Sequence, residues 1–381
     1  MPLRVHYHPR KAASTSAIPM TAPEARTRTD LLSLPPEEAE ATLARHFATR
    51  DQPSYRTEQA VRWLYEGDAA SFGEMTNLPL AERAALEDAF VPPALPVARV
   101  DRSRDGTAKH LWRLHDNELI ESVLIPAGRR LTLCISSQAG CAMACTFCAT
   151  GWAGYRRQLT AGEITAQYRG ARAWARSEGY PDISNIVFMG MGEPLVNRKA
   201  VIPALGILNH GFGVGARRIT VSTVGIVPGI LEMAEMPEQY RLAVSLHAPN
   251  HELRQTLIPV ERKYPLPELM EALRAFERAG GKRITFEYVM IDQVNDHPEL
   301  AEELARQVGE FNALVNLIPY NPIPGREWVS SSPPRLRAFA ARLEEMGINV
   351  SVREPRGRDI AAACGQLRAD AVEGRTAPVG V

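Results

Sequence analysis

From residue 131 onward the chain alternates short, nearly continuous apolar runs with longer stretches in which apolar residues recur every three or four positions. The runs fall at 131–136, 185–189, 218–222, 242–246, 283–290 and 314–318, with a last one at 348–353. Runs this short read as buried strands. The intervening segments are long enough for crossover helices, so the pattern predicts a parallel sheet. Two helices carry their own signals: Thr160-Ala161-Gly162-Glu163 forms a capping box, and 335–346 is amphipathic. Six βα units are too few to close an eight-stranded barrel, which leaves an open, partial (βα)6 barrel as the economical α/β architecture.

Ahead of the barrel, 109–115 and 118–125 alternate around Asp116-Asn117, as a β-hairpin extension does. Residues 29–99 show helical periodicity instead. A start signal stands at Ser33-Leu34-Pro35-Pro36-Glu37, amphipathic stretches cover 59–65 and 80–90, and Val91-Pro92-Pro93 breaks the pattern. This small helical domain is acidic, with 12 acidic against 6 basic residues. The first 28 residues lack periodicity and hold five basic residues against one acidic, as a disordered basic tail would. The expected division is a tail (1–28), a helical accessory domain (29–100), a hairpin linker (101–130), the barrel (131–355) and a carboxyl-terminal loop and tail (356–381).

The 381 residues are 45% hydrophobic and balance 44 Lys+Arg against 44 Asp+Glu, so a polyanionic partner would have to be held by a local patch and not by a global field. The doublets Arg129-Arg130, Arg156-Arg157, Arg217-Arg218 and Arg262-Lys263 are candidates for a phosphate track on the barrel rim. No apolar run is long enough to span a bilayer and the amino terminus lacks the apolar core of a signal peptide, so a cytoplasmic protein with no membrane contact is expected. Five cysteines, an odd number, suggest reduced thiols kept for chemistry.

Three of them sit in Cys141-Ala142-Met143-Ala144-Cys145-Thr146-Phe147-Cys148, just after the first barrel strand. A structural zinc closes its tetrahedron with four protein ligands, and no fourth Cys or His follows at finger or ribbon spacing. Three thiolates on a four-iron four-sulfur (4Fe-4S) cluster leave one iron open to a substrate or cofactor. The C-x3-C-x2-C spacing, with an aromatic before the last cysteine, resembles the signature of radical S-adenosylmethionine (SAM) enzymes. That resemblance implies an iron that chelates SAM, one-electron cleavage to an adenosyl radical, and a six-stranded partial barrel. Parallel barrels place their sites at the carboxyl ends of strands. There the sequence offers Gly190-Met191-Gly192-Glu193-Pro194, similar to the superfamily's "GGEP" turn, then Ser222, Ser245-Leu246-His247 and Asn321.

Cys134 and Cys364 remain. Alone, each reads as a small buried hydrophobe. With the cluster motif, their segments, 132–141 and 356–367, resemble the RlmN and Cfr family of radical SAM adenine methyltransferases, in order of motifs from about residue 29 to 370. The resemblance implies that Cys141, Cys145 and Cys148 hold the cluster, and that Gly192, Glu193, Ser222, Ser245, Leu246, His247 and Asn321 surround SAM. Cys364 would be the thiol that becomes S-methylated and Cys134 the resolving thiol. Glu121, by pattern an outward-facing strand residue, becomes a candidate proton acceptor. It further implies 23S ribosomal RNA and transfer RNA as substrates, methylation at adenine C2 or, as in Cfr, C8, and a flavodoxin-type electron donor. A monomer is expected. On the residues alone, a radical SAM enzyme of a small molecule or protein and a zinc-dependent RNA-binding protein stay open.

Overall fold

The computed structural model describes residues 28–280 and 283–368; the expected tail up to residue 27 and the final segment 369–381 lie outside the described residues. Strands β1 (Val97–Arg102), β2 (Ala108–Arg113) and β3 (Leu119–Ala127) form an antiparallel meander, and β3 pairs antiparallel with β4 (Arg130–Cys134). A separate hairpin, β5 (Gln138–Gly140) and β6 (Tyr155–Gln158), brackets the three clustered cysteines. Next come β7 (Asn185–Phe188), β8 (Ile219–Thr223), β9 (Arg241–Ser245), β10 (Ile284–Met290), β11 (Ala313–Pro319) and β12 (Val350–Val352). They add in chain order, every neighbouring pair parallel, starting beside β4. One ten-stranded sheet results, and its outer strands β1 and β12 do not pair with each other. The open α/β barrel expected from the apolar runs is therefore present. The predicted hairpin is part of the same sheet, and β1 and the β5–β6 pair are additional.

Six helices make the crossovers: Ala161–Ser177, Arg198–Gly206, Val227–Glu235, Leu266–Arg278, Pro298–Val308 and Pro333–Glu345. The first starts at the predicted capping box, where the Thr160 hydroxyl accepts from the Glu163 N–H at 3.1 Å and the Glu163 carboxylate accepts from the Thr160 N–H at 3.0 Å. None of the described helices is long and apolar enough to cross a membrane.

The amino-terminal helices Pro36–Ala48, Tyr55–Tyr65 and Leu80–Ala89 contribute to the common core, the first packing against the second, and the preceding turn Leu31–Ser33 packs against Ala161–Ser177. A helix end leaves its last carbonyls without intrahelical donors. Here two arginines of the crossover helix supply them. Arg169, 1% exposed, donates to the carbonyls of Trp63, Leu64 and Ala69. Arg172 donates to those of Tyr65 (2.7 Å) and Gly67 (2.9 Å).

His110 on β2 is fully buried, stacked on the Trp112 ring (centroids 5.1 Å apart) with the Trp174 ring edge-on at 4.7 Å. Neither of its ring nitrogens has a hydrogen-bond partner. Burial, with a smaller repulsion from Arg102, pulls its pKa down to about 4. The folded state thus holds His110 neutral while the unfolded chain takes up a proton near pH 6.5, so stability is lost as pH falls from about 6.5 towards 4. The expected loss from this one group is about 2 kcal/mol by pH 5 and roughly 3 kcal/mol below pH 4, absent in His110→Phe. Urea unfolding midpoints of both proteins at pH 7.5 and 5 test it; equal acid sensitivity would refute the assignment.

Candidate active site

The cysteine loop is anchored at both ends by its hairpin. Gly140, at φ +75°, abuts the Gly154 carbonyl so closely that an added Cβ would lie 1.9 Å from that oxygen, and the Cys141 N–H donates to the same carbonyl at 3.0 Å. The loop's midpoint is fixed from another direction, because the Thr146 N–H donates to the Leu257 carbonyl at 3.0 Å. Cys148 then caps a short helix, Ala149–Ala153.

All three thiols face one cavity of about 150 Å3 at the carboxyl ends of the parallel strands. Burial pushes the Cys141 thiol up to about 12 and Cys145 well above the usual thiol range, the neighbouring cysteines adding to it. Such thiols ionise only when a positive group joins them, and iron supplies that charge. No three His, Cys, Asp or Glu side chains among the described residues converge tightly enough to hold one metal ion. Three thiols around one cavity, Cys145 buried and Cys141 and Cys148 partly so, fit a multi-iron cluster as donor set.

Most of the strand-end candidates meet at the same cavity. Gly192, Glu193, Ser222, Ser245, His247 and Asn321 line it. Glu193, 3% exposed, bridges two strand ends, accepting from the Leu195 N–H (3.0 Å) and the Val224 N–H (2.8 Å); burial lifts its pKa to about 7. His247 accepts the Val289 N–H on Nδ1 at 3.0 Å, so the neutral ring carries its proton on Nε2, with Phe147 edge-on at 4.5 Å. Leu246 is placed otherwise: its side chain is fully buried away from the cavity, and its carbonyl accepts from Arg254. Asn321 spends both ends of its amide on the carboxyl-terminal segment, donating to the Cys364 carbonyl (3.1 Å) and accepting from Arg358 (2.9 Å).

Cys364, half-buried, lies on that segment and lines the cavity with the three cluster thiols. It also lines a second, narrow cavity, about 30 Å3, whose opposite wall includes Cys134. The two thiols, 230 positions apart in sequence, are close enough for the charge on Cys364 to help burial raise the Cys134 pKa to about 12. The segment is held down by Gly365 accepting from Ala149 N–H (2.7 Å) and Leu367 accepting from the Thr150 hydroxyl. Its carbonyls therefore rest on the helix that Cys148 starts.

Glu121 is 2% exposed and faces inward, contrary to its outward-facing pattern. It lies off the cluster cavity, paired with Lys109 Nζ at 3.0 Å and accepting from the Arg368 N–H at 2.9 Å, among residues lining a third cavity. Among the basic doublets, Arg157 is committed internally to Asp116 and Glu163, while Arg129, Arg130, Arg156, Arg217, Arg218, Arg262 and Lys263 are exposed.

Two residues of the site escaped the sequence reading. Glu287 on β10, 5% exposed, lines the cluster cavity with one oxygen held by Asn316 at 2.7 Å. A lone carboxylate in an apolar strand was the available signal. Arg353, just past β12, lines the narrow cavity between the two lone thiols, and charge interaction with Cys364, then Glu287 and Cys134, raises its pKa. An arginine in sequence gives no such sign.

Comparison with known proteins agrees with this geometry. Residues 135–305 match the radical SAM superfamily, and residues 30–91 match the ribosomal RNA large subunit methyltransferase N-terminal domain. The chain is 49% identical over 354 residues to a probable dual-specificity RNA methyltransferase RlmN of Gemmatimonas aurantiaca, covering 92% of this chain and 96% of the relative. It is 44% identical over 358 residues to the dual-specificity RNA methyltransferase RlmN of an Anaeromyxobacter species, covering 92% and 94%. Among solved structures, a radical SAM methyltransferase from Sphaerobacter thermophilus superimposes with a TM-score of 0.86 at 45% identity, over 90% of this chain and all of that one.

Proposed function

The chain belongs to the RlmN family of radical SAM RNA methyltransferases, and on that premise we propose that it methylates carbon 2 of one adenosine in the peptidyl transferase centre of 23S ribosomal RNA and of the adenosine beside the anticodon in some transfer RNAs. Family membership makes it a SAM-dependent RNA methyltransferase whose cofactors are a 4Fe-4S cluster and SAM. Cys141, Cys145 and Cys148 would hold the cluster, with SAM beside Gly192, Glu193, Ser222, Ser245, His247 and Asn321. Bound together, cluster and SAM supply methyl groups and one-electron chemistry.

Carbon 2 of adenine has neither a lone pair nor an acidic proton, so it cannot attack the methyl of SAM directly. A thiolate can. Cys364 accepts a methyl by displacement from one SAM, and hydrogen removal from that S-methyl, at the expense of a second SAM, lets its carbon bond to C2. Cys364 is then joined to RNA through a methylene. The adduct would give back the one electron spent at the start and lose the C2 proton to Cys134 or Glu121; attack of the Cys134 thiolate on Cys364 sulfur would then break the carbon–sulfur bond, and a proton taken up by the released methylene would leave a methyl on the base. The cysteines end as a disulfide, which an external two-electron donor of the flavodoxin type reduces.

The observation that supports this sequence best is the position of Cys364 at the junction of two cavities, one shared with the cluster cysteines and the other with Cys134. Arg353 serves both stages. While Cys364 is a thiolate, Arg353 balances its charge; once Cys364 is methylated, that charge is gone and Arg353 stabilises the thiolate of Cys134. Mass analysis of RNA from cells lacking the protein separates the regiochemistries: 2-methyladenosine disappears and returns on complementation, whereas loss of 8-methyladenosine alone assigns the other carbon.

A further inference from the structure

Beside the cluster cavity, three side chains form a stack for which the chemistry above has no use. Trp152, on the short helix that Cys148 caps, is 50% exposed, and the Arg326 guanidinium lies 4.7 Å from its ring centroid. The same guanidinium lies 4.7 Å from the Trp328 ring, which meets the Tyr320 ring edge-on at 6.2 Å. Tyr320 in turn lines the cluster cavity, as does Thr150 two residues before Trp152. The stack therefore runs from the cavity wall to solvent.

A guanidinium in contact with two indoles is held by both, and among the described residues no carboxylate lies within ion-pair distance of Arg326. Its Nε is buried without an acceptor. The neighbouring surface continues in kind: Tyr155 is 42% exposed and Arg156 is exposed, although the exposed Glu327 adds one negative charge. Exposed aromatic faces interleaved with cations are what an unpaired nucleic-acid strand requires, the rings for its bases and the arginines for its phosphates.

We propose that the Trp152–Arg326–Trp328 stack is the docking platform for an unpaired nucleotide flanking the target adenosine, with the base on Trp152 and its phosphate at Arg326. This rests on the RNA methyltransferase reading and names the surface by which that site recognises its substrate. A base splayed onto the platform would keep the neighbouring target out of the stack, as chemistry on C2 requires.

The test uses the reconstituted full-length enzyme with a substrate RNA fragment and dithionite as electron source. Trp152→Ala is expected to raise KM for the RNA on the order of ten- to a hundredfold, with kcat largely kept and with Trp152→Phe restoring most of the affinity. Arg326→Ala should raise KM as well and flatten its dependence on salt. Reductive SAM cleavage without RNA reports whether the cluster loop beside Trp152 is intact in each variant. Unchanged KM in both alanine variants overturns the platform. A loss seen only with a flavodoxin donor, and not with dithionite, overturns it too, and assigns the surface to the electron donor. If the wild-type enzyme methylates no RNA, the parent reading fails; wild-type activity with unaltered variants refutes the platform alone.

Discussion

Cys364→Ala is expected to lose RNA methylation by roughly a thousandfold or more while retaining about four irons per chain, because the residue proposed to carry the methyl is absent and no other thiol lines both cavities. Cys134→Ala should fail one stage later. There Cys364 can still take the methyl and couple to the base, but no thiol lies across the narrow cavity to cut the carbon–sulfur bond. RNA should then co-purify covalently with Cys134→Ala, resist denaturing gels and fall away on nuclease treatment, whereas Cys364→Ala should carry none. Covalent RNA on both variants, or on neither, is incompatible with a methyl passed through Cys364.

The second large effect is expected beneath the cysteine loop, at an arginine close enough to Cys145 for their charges to interact. Arg254, 0% exposed, forms a buried ion pair with Glu261 and donates to the carbonyls of Val224 (2.7 Å), Ser245 (3.4 Å) and Leu246 (3.2 Å). Glu261 in turn accepts from His251 and from the Leu266 N–H, both at 2.8 Å. One guanidinium thus joins the loops after β8 and β9 to the helix His251–Leu257, whose last carbonyl receives the Thr146 N–H of the cysteine loop. Arg254→Met leaves a buried carboxylate without its cation and several carbonyls without a donor. The expected cost is about 3–5 kcal/mol in urea unfolding, with weaker iron retention on dialysis. A change below about 0.5 kcal/mol would show that these loops are held by packing alone.

What the sequence made legible follows from what is local. The parallel strands are apolar on both faces, and the capping box and cysteine spacing lie within a few residues, so each could be read in place. Glu121 was misread because alternation assumes one wet face. In β2 and β3 both faces are covered: the Trp112 ring packs against Gly170 of the crossover helix on one side, and the carboxyl-terminal segment lies over the other. Strand β1 follows Pro92, Pro93 and Pro96 and is half exposed, so its pattern is faint. β5 is three residues long, set by pairing across the cysteine loop. The arginines were least legible of all. Arg169, Arg172, Arg254 and the partly buried Arg353 look like surface charge in sequence, and only main-chain oxygens, the carboxylates of Asp68 and Glu261, and thiols that the fold brings to them make their places tolerable.

The contacts of Arg169 and Arg172 set an asymmetry in how the protein can vary over generations. Every oxygen they reach at the end of helix Tyr55–Tyr65, apart from that of Asp68, belongs to the main chain. Substitutions on the exposed face of that helix leave those oxygens in place, so one partner of the joint can vary there without losing a bond. The other partner has no such licence, since a shorter or uncharged replacement at 169 or 172 strands several oxygens at once.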